Sequence, residues 1–128
     1  EIRTWNWNDP TSLQPFMTRV NRIRAHNPAL LQMRNIAFLE TQNDQIIAYV
    51  KWTEDNTILV VVSLDPYHEQ AGQLIASPDQ LRVFDAHHFT VHDLLNEAAY
   101  EWSGHAHYLH LTPEQPAHVF RVESNRYL

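Results

Sequence analysis

Alternating and continuous runs of hydrophobic residues occupy most of the chain after residue 35 and predict β-strands. The clearest is residues 58–64, six of whose seven residues are apolar and which Asp65-Pro66 closes; this pattern is typical of a strand covered on both faces. Ahead of it, residues 36–41 and 45–52 flank a polar turn and predict a hairpin. We therefore expect three consecutive strands in an antiparallel meander.

Further strand predictions follow after Pro66, and polar, Gly or Pro breaks separate them. They cover residues 73–76, 89–95, 99–102, 105–111 and 117–123. A spacing of about 8–12 residues between short strands is typical of a sandwich or barrel rather than of βαβ units. The predicted fold is mainly β, an antiparallel β-sandwich of seven or eight strands.

Hydrophobic residues near the beginning of the chain recur with the period of a helix. One face of a helix of about four turns is predicted by the spacing of Leu13, Phe16, Met17, Val20 and Ile23. Thr11 or Ser12 is expected to cap this helix, and Asn27-Pro28 to end it. A single amphipathic helix before a sandwich has no obvious partner for its apolar face. We therefore divide the chain into a lead-in arm with a helix, residues 1–31, and a β-sandwich domain, residues 32–128.

Composition limits the class of protein. The chain has 128 residues, enough for one core, and nine Lys and Arg against fifteen Asp and Glu leave a net charge of −6, which argues against nucleic acid or an anionic membrane as a partner. No apolar run approaches the roughly 18 residues that cross a bilayer. The absence of Cys suits a reducing compartment, so a cytoplasmic location is expected. Since the chain starts at Glu1, we expect a piece of a longer protein.

Residues for catalysis cannot be assembled from the sequence. His105 and His107 are expected on one face of a strand and His110 on the other; metal binding there would need a third converging ligand, and spacing identifies none. Two Gly in the whole chain leave no phosphate-cradling loop, and acids such as Asp85 and Asp93 cannot be paired across a cleft by spacing. We predict no catalytic residue, no metal ligand, no cofactor-binding residue and no cofactor.

Aromatic side chains are the remaining candidates for a binding site. Trp5 and Trp7 lie on the lead-in arm, and Trp52 and Trp102 lie on predicted strands. Indole rings stack on sugar rings in glycan-binding modules, but large aromatic residues also dominate hydrophobic cores. Both interpretations, glycan stacking and packing against this domain or a neighbour, stay open at all four positions.

Several short segments occur in an order that resembles a known family. They are Arg19-Val20-Asn21-Arg22-Ile23-Arg24, Asn27-Pro28-Ala29-Leu30, Asn43-Asp44-Gln45, Val60 to Pro66, and Val91-His92-Asp93-Leu94-Leu95. Together they resemble the C-terminal part of the bacterial α-1,4-glucan:maltose-1-phosphate maltosyltransferases of the α-amylase superfamily. The first two segments are common to amylase-type enzymes, and Ser63 departs from the Asn expected at that position. The resemblance covers nearly the whole chain.

The resemblance implies an accessory role for the chain. The helix would be the last of a catalytic (β/α)₈ barrel, and the strands would form the all-β domain that follows. The family's catalytic acids belong to barrel loops before Glu1, so none is carried over to a residue here. The implied parent transfers maltosyl units from maltose 1-phosphate to α-1,4-glucans without an organic cofactor.

Three functional hypotheses remain from the sequence. The first is a non-catalytic domain that covers apolar surface of the barrel in the same polypeptide, with contacts in a homodimer of the parent as a further partner hypothesis. The second is an α-glucan-binding module, and the third is a metal-dependent enzyme built on the His cluster. The same domain from an amylase-type hydrolase or isomerase is an alternative for the parent.

Overall fold

In the computed structural model of the chain, residues 10–31, 35–83 and 88–123 are described, with the backbone only for residues 10–17 and 31. Helix α1, Pro10–His26, is followed by a short 3₁₀ helix, Pro28–Leu31. Eight strands come next: β1 Ile36–Thr41, β2 Ile46–Thr53, β3 Asn56–Ser63, β4 Gln70–Ile75, β5 Phe89–Asp93, β6 Ala98–Trp102, β7 Ala106–Leu111 and β8 Ala117–Val122.

All eight strands belong to one antiparallel sheet with the order β6-β5-β8-β3-β2-β1-β4-β7. The predicted meander β1-β2-β3 is confirmed, and β8 inserts between β3 and β5. The joint between β1 and β4 has only two residue pairs, Glu40 with Ile75 and Thr41 with Leu74. This narrow joint lets the β4–β7 pair fold over the inner face of the other six strands, which gives the two facing layers of the expected sandwich.

The core lies between these layers. Inward-facing residues of both layers form one buried cluster, including Leu59 and Val61 on β3, Leu74 on β4, Phe89 on β5 and Leu111 on β7. At the two ends of the sheet, Trp102 on β6 stacks on His107 on β7 with ring centroids 4.4 Å apart. The sheet is therefore nearly closed, although β6 and β7 do not pair with each other.

The central strand is covered on its outer face as well, as its continuous apolar pattern predicted. Ile58 and Val60 pack there with Ala29 of the 3₁₀ helix. The end of α1 is held at this point by a buried amide: Asn27 Nδ2 donates to the Ile23 carbonyl, and Asn56 links Asn27 Oδ1 to the backbone N–H of Ala29. These bonds satisfy groups that a helix end would otherwise leave unpaired.

Local differences from the predictions are small. The helix begins at Pro10, ahead of Thr11 and Ser12, so neither residue occupies the expected capping position. Pro is well tolerated in a first helical turn, where its missing N–H has no intrahelical partner. Strand β4 begins at Gln70 rather than Gln73, because pairing with β7 extends it beyond its short apolar segment.

Candidate functional site

Several of the segments that carry the family resemblance lie at turns and strand ends, where they make hydrogen bonds within the domain. Asn43 is one example: its Oδ1 accepts from the Gln45 N–H, and its Nδ2 donates to Gln70 Oε1 and to the Ala71 carbonyl. The Asn-Asp-Gln turn therefore ties the β1–β2 hairpin to β4, beside the narrow joint of the sheet.

Asp65 organises the turn after β3 in the same manner. Its Oδ1 accepts from the backbone N–H groups of Tyr67 and His68, and its Oδ2 accepts from Gln70 Nε2. The Tyr67 N–H contributes most to a lowered pKa of the Asp65 carboxyl, helped by the bonds from Gln70 and His68 and opposed by partial burial. A carboxylate that accepts several such bonds is a turn-forming group.

Asp93 is the most buried acid among the described residues, with 1% of its surface exposed. Its Oδ1 accepts from the N–H groups of Leu95 and Asn96, and its Oδ2 accepts from Asn96 Nδ2. His118 Nδ1 lies 3.3 Å from the same Oδ2. Burial raises the pKa of the Asp93 carboxyl, but the bonds from His118 and Asn96 outweigh it, so its pKa is below the ordinary value.

The partner imidazole bridges the two layers. His118 Nε2 lies 3.0 Å from the carbonyl oxygen of His110 on β7, while Nδ1 faces Asp93 on β5. Burial lowers the pKa of His118, yet the contact with the Asp93 carboxylate and the bond to the His110 carbonyl outweigh it, so its pKa is raised. Nδ1 has no hydrogen bond within the described residues, so its contact with Asp93 Oδ2 is an ion pair. The arrangement stabilises charge and presents no group to a substrate.

The predicted histidine cluster does not assemble. His107 is buried at 3% exposure and faces the core, whereas His105 precedes β7 and is exposed, and His110 faces outward with its Nε2 on Glu69. Strand alternation places His110 on the face opposite His107, and the exposed His105 lies before the strand begins. In the parts of the chain that the structure describes, no three His, Cys, Asp or Glu side chains lie close enough to hold a metal ion.

The four tryptophan candidates fall in different surroundings. Trp5 and Trp7 lie outside the described residues, as does Asp85. Trp102 is half-buried against the core, between His107 and Phe120. Trp52 is half-buried in an open cleft of about 940 Å³ that Asp79 also lines, and the Arg82 guanidinium carbon lies 4.3 Å from its ring centroid. Trp52 is therefore the described candidate with access to a ligand.

An apolar surface on the outer face of the hairpin is exposed to solvent. We define the apolar face as Ile36, Phe38, Ile47, Tyr49 and Val62 on strands β1 to β3. Three of them have large exposed fractions, 44% for Ile36, 69% for Phe38 and 37% for Ile47. The Phe38 and Tyr49 rings lie 5.7 Å apart across the strand pair, and Ile47 is directly opposite Val62. A contiguous exposed apolar surface marks a contact site.

The side-chain pairs that organise these sites were not found from the sequence. Asp93 with His118, and Asn27 with Asn56, come from distant strands and loops. One signal was available for the first pair, since period-two alternation on β8 places His118 on the same face as the buried Phe120 and Val122.

No helix in the described part of the chain is long and apolar enough to span a membrane.

Solved structures share this fold. An α-amylase from Geobacillus thermoleovorans, solved as a complex with acarbose, matches 94% of this chain with a TM-score of 0.71 and 14% identity, over 25% of the amylase. An Anoxybacillus α-amylase matches 96% of this chain with a TM-score of 0.63 and 16% identity, over 25% of its length. These likenesses define the class of fold: a helix and β-domain of the kind found in α-amylases.

Sequence comparison gives the family. A family model described as "GLGE, C-terminal" matches residues 38–122, which is more than half of the chain. The chain belongs to this GLGE C-terminal domain family, and the resemblance derived from its motifs is confirmed.

Curated relatives with similar sequences are maltosyltransferases. An α-1,4-glucan:maltose-1-phosphate maltosyltransferase of Salinibacter ruber is 58% identical over 96% of this chain and 19% of that protein. One from Chlorobaculum tepidum is 38% identical over 95% of this chain and 20% of that protein. The chain spans about one fifth of the length of these relatives.

Proposed function

We propose that the chain is a non-catalytic accessory domain of an enzyme that transfers maltosyl units from maltose 1-phosphate to α-1,4-glucans. The reaction comes from the names of the relatives, of which this chain matches about one fifth. The expected cytoplasmic location belongs to the same proposal.

The observation that carries the proposal is that residues of the family segments make hydrogen bonds within the domain. Asn27, Asn43, Asp65 and Asp93 all direct their polar groups to backbone or amide partners inside the domain. Such bonds position turns and helix ends, so these four residues serve the fold rather than a substrate. A stabilising domain needs these features, whereas a catalytic domain needs polar groups that converge on a cavity.

The apolar face supports a contact with the rest of the polypeptide. Phe38 is 69% exposed, and covering such a side chain contributes roughly 1.5–3 kcal/mol. The relatives are about five times longer than this chain. In a polypeptide of that length, another domain can cover the Phe38 side chain. We propose the catalytic barrel as this partner; contacts within a homodimer of the parent are the second possibility for the same face.

The first test is a pair of substitutions in the longer polypeptide. Phe38→Lys should lower its thermal stability and its maltosyl transfer from maltose 1-phosphate. Glu40→Lys is the matched control, because Glu40 is exposed on the same face of β1. Equal effects of the two variants would contradict a contact through the apolar face.

The second test uses the chain of residues 1–128 alone. A folded sample should release no phosphate from maltose 1-phosphate in the presence of maltoheptaose. Turnover by this chain would contradict the non-catalytic role, whatever the result at Phe38.

An α-glucan-binding role is a second candidate because Trp52 lines an open cleft. Its indole and the Arg82 guanidinium already stack, and aromatic rings beside polar groups suit the apolar faces and hydroxyls of a sugar. Titration with maltoheptaose, followed by tryptophan fluorescence and calorimetry, should give a saturable response that Trp52→Ala abolishes. Tyr67→Ala, at an exposed aromatic residue outside the cleft, should retain it; a flat response from folded protein would reject this candidate.

A further inference from the structure

A groove of about 440 Å³ separates helix α1 from the outer face of the sheet. The helix contributes Arg19, Arg22, Ile23 and His26 to it, a spacing that places all four on one helix face. The helix face turned to a sheet is ordinarily apolar. Here three of the four side chains are basic, so this wall of the groove is suited to a charged ligand.

The opposite wall adds a further arginine. His92 on β5 and Arg121 on β8 are directly opposite each other in the strand register, and both line the groove beside Asp93, Glu97 and apolar residues. Arg22 and Arg121 therefore line one open groove from two different elements, in a chain whose net charge is −6. Like charges that line one groove repel unless an anion lies between them.

The acids in the groove already have partners. Glu97 pairs with Arg19, which also donates to the Leu94 carbonyl. Glu123, next to the groove, lies 3.3 Å from His92. The Asp93 carboxylate is buried on His118 and Asn96. None of these carboxylates neutralises the remaining two arginines.

Arg22 and Arg121 have no ion pair or side-chain hydrogen bond to another residue of the described ranges. They come from opposite walls of the groove, and His26 lies one turn beyond Arg22 with its Nδ1 on the Arg22 carbonyl. A guanidinium group presents planar N–H pairs that match the oxygens of a phosphoryl group. Two such groups from two walls can bind one dianion.

We propose that this groove binds a phosphoryl group, held between Arg22 and Arg121. The ligand class is inorganic phosphate or a phosphomonoester of a sugar, which share the dianionic group. This inference comes from the charges of the groove and holds whether or not the proposed maltosyl transfer is correct. Binding there would fasten α1 to the sheet, because the two arginines lie on different elements.

The test is calorimetric titration of the folded chain with sodium phosphate and, separately, with glucose 1-phosphate. Sodium chloride at equal ionic strength is the reference, and maltose is the uncharged control. We expect saturable binding of the two phosphoryl ligands and none of maltose. Tighter binding of glucose 1-phosphate would identify the sugar ester as the source of the group, and tighter binding of inorganic phosphate would identify the free ion. Equal affinities would mean that the groove binds only the shared phosphoryl group.

Variants make the test specific to the groove. Arg22→Gln and Arg121→Gln should each weaken binding about tenfold or more, since charge-assisted hydrogen bonds are lost. Arg121→Lys keeps the positive charge but loses the planar guanidinium group. Its affinity for the phosphoryl ligands should lie between those of the unmodified chain and of Arg121→Gln. Arg24→Gln, on the exposed side of the same helix, and Arg82→Gln, in the Trp52 cleft that Arg121 also lines, are the matched controls and should bind normally.

Three results would overturn the proposal. They are a flat titration of folded protein, a response that sodium chloride reproduces, and binding that the Arg22 and Arg121 variants leave unchanged. Circular dichroism of each variant separates lost binding from lost folding.

Discussion

The carboxylate of Asp93 and the imidazole of His118 form an ion pair inside the folded sheet, with Oδ2 and Nδ1 3.3 Å apart. The second ring nitrogen of His118 donates to the His110 carbonyl of the facing layer. A carboxylate beside Nδ1 favours the protonated imidazole. The pair therefore places a positive charge between the layers and joins β5, β8 and β7.

Breaking this pair should destabilise the domain strongly. Asp93→Asn leaves His118 without its counter-charge, and removing one partner of a buried pair costs about 3 kcal/mol or more. Urea unfolding should show the loss as a lower midpoint. His110→Ala is the control: it keeps the backbone carbonyl that His118 uses and removes only an exposed ring, so it should cost less than about 1 kcal/mol. Equal losses would contradict the role of the pair.

Stability should depend on pH through His118 and Asp93. Because the pKa of His118 is raised on folding, its contribution is present below the ordinary value of 6.5 and is lost as pH rises through the folded pKa. The pKa of Asp93 is lowered, so its contribution is present above 3.8 and is lost as pH falls through the folded pKa. Unfolding measured between about pH 2 and pH 9 should show both declines.

His107 should act in the opposite direction to His118. Burial lowers its pKa, only partly opposed by a backbone bond to Ala76, so its contribution is present above 6.5 and is lost as pH falls through the folded pKa. His107→Phe, which can still stack on Trp102, should reduce the loss of stability below pH 6.5. His118→Gln should remove the decline above that pH. Variants whose pH profiles run parallel to that of the unmodified chain would contradict these assignments.

The amide link between Asn27 and Asn56 should be required for docking of the helix end. Asn56→Ala leaves the Ala29 N–H and Asn27 Oδ1 without their bonds, and unsatisfied buried groups cost about 1–3 kcal/mol each. Asp55→Ala, in the same exposed turn, should change the free energy of unfolding by less than about 0.5 kcal/mol. Hydrogen exchange should show selective loss of protection at Ala29 and Leu30 in the Asn56 variant, and unchanged exchange there would refute the link.

The narrow β1–β4 joint should be sensitive to side-chain volume. A Cβ atom at Gly72 would lie 3.0 Å from the Asn43 Cβ, closer than ordinary contact. Gly72→Ala should therefore strain the turn that ties the hairpin to β4 and cost about 1–3 kcal/mol. Ala71→Ser, at an exposed neighbouring position, is the control in thermal unfolding. A stable Gly72→Ala variant would mean that the joint tolerates displacement.

Much of the fold could be predicted from local pattern. Alternating and continuous apolar runs identified every strand within a few residues, and the bounds of β1 agree at both ends. The helical spacing before Asn27-Pro28 predicted α1, and Asn27 does end it. These features follow from nearest neighbours along the chain, because backbone geometry and one-sided burial impose the periods of 2 and 3.6.

The candidate sites depend on contacts between residues that are far apart in the sequence, and the alternation of apolar and polar residues does not specify such contacts. The sequence by itself determined the elements, the meander, the coverage of β3 on both faces and the family. Only the tertiary structure decided that β8 lies between β3 and β5 and so brings His118 to Asp93, that Trp102 stacks on His107, and that Arg22 and Arg121 line one groove. The physical reason is that strand order and the angle of a helix on a sheet are set by the closing of one shared core.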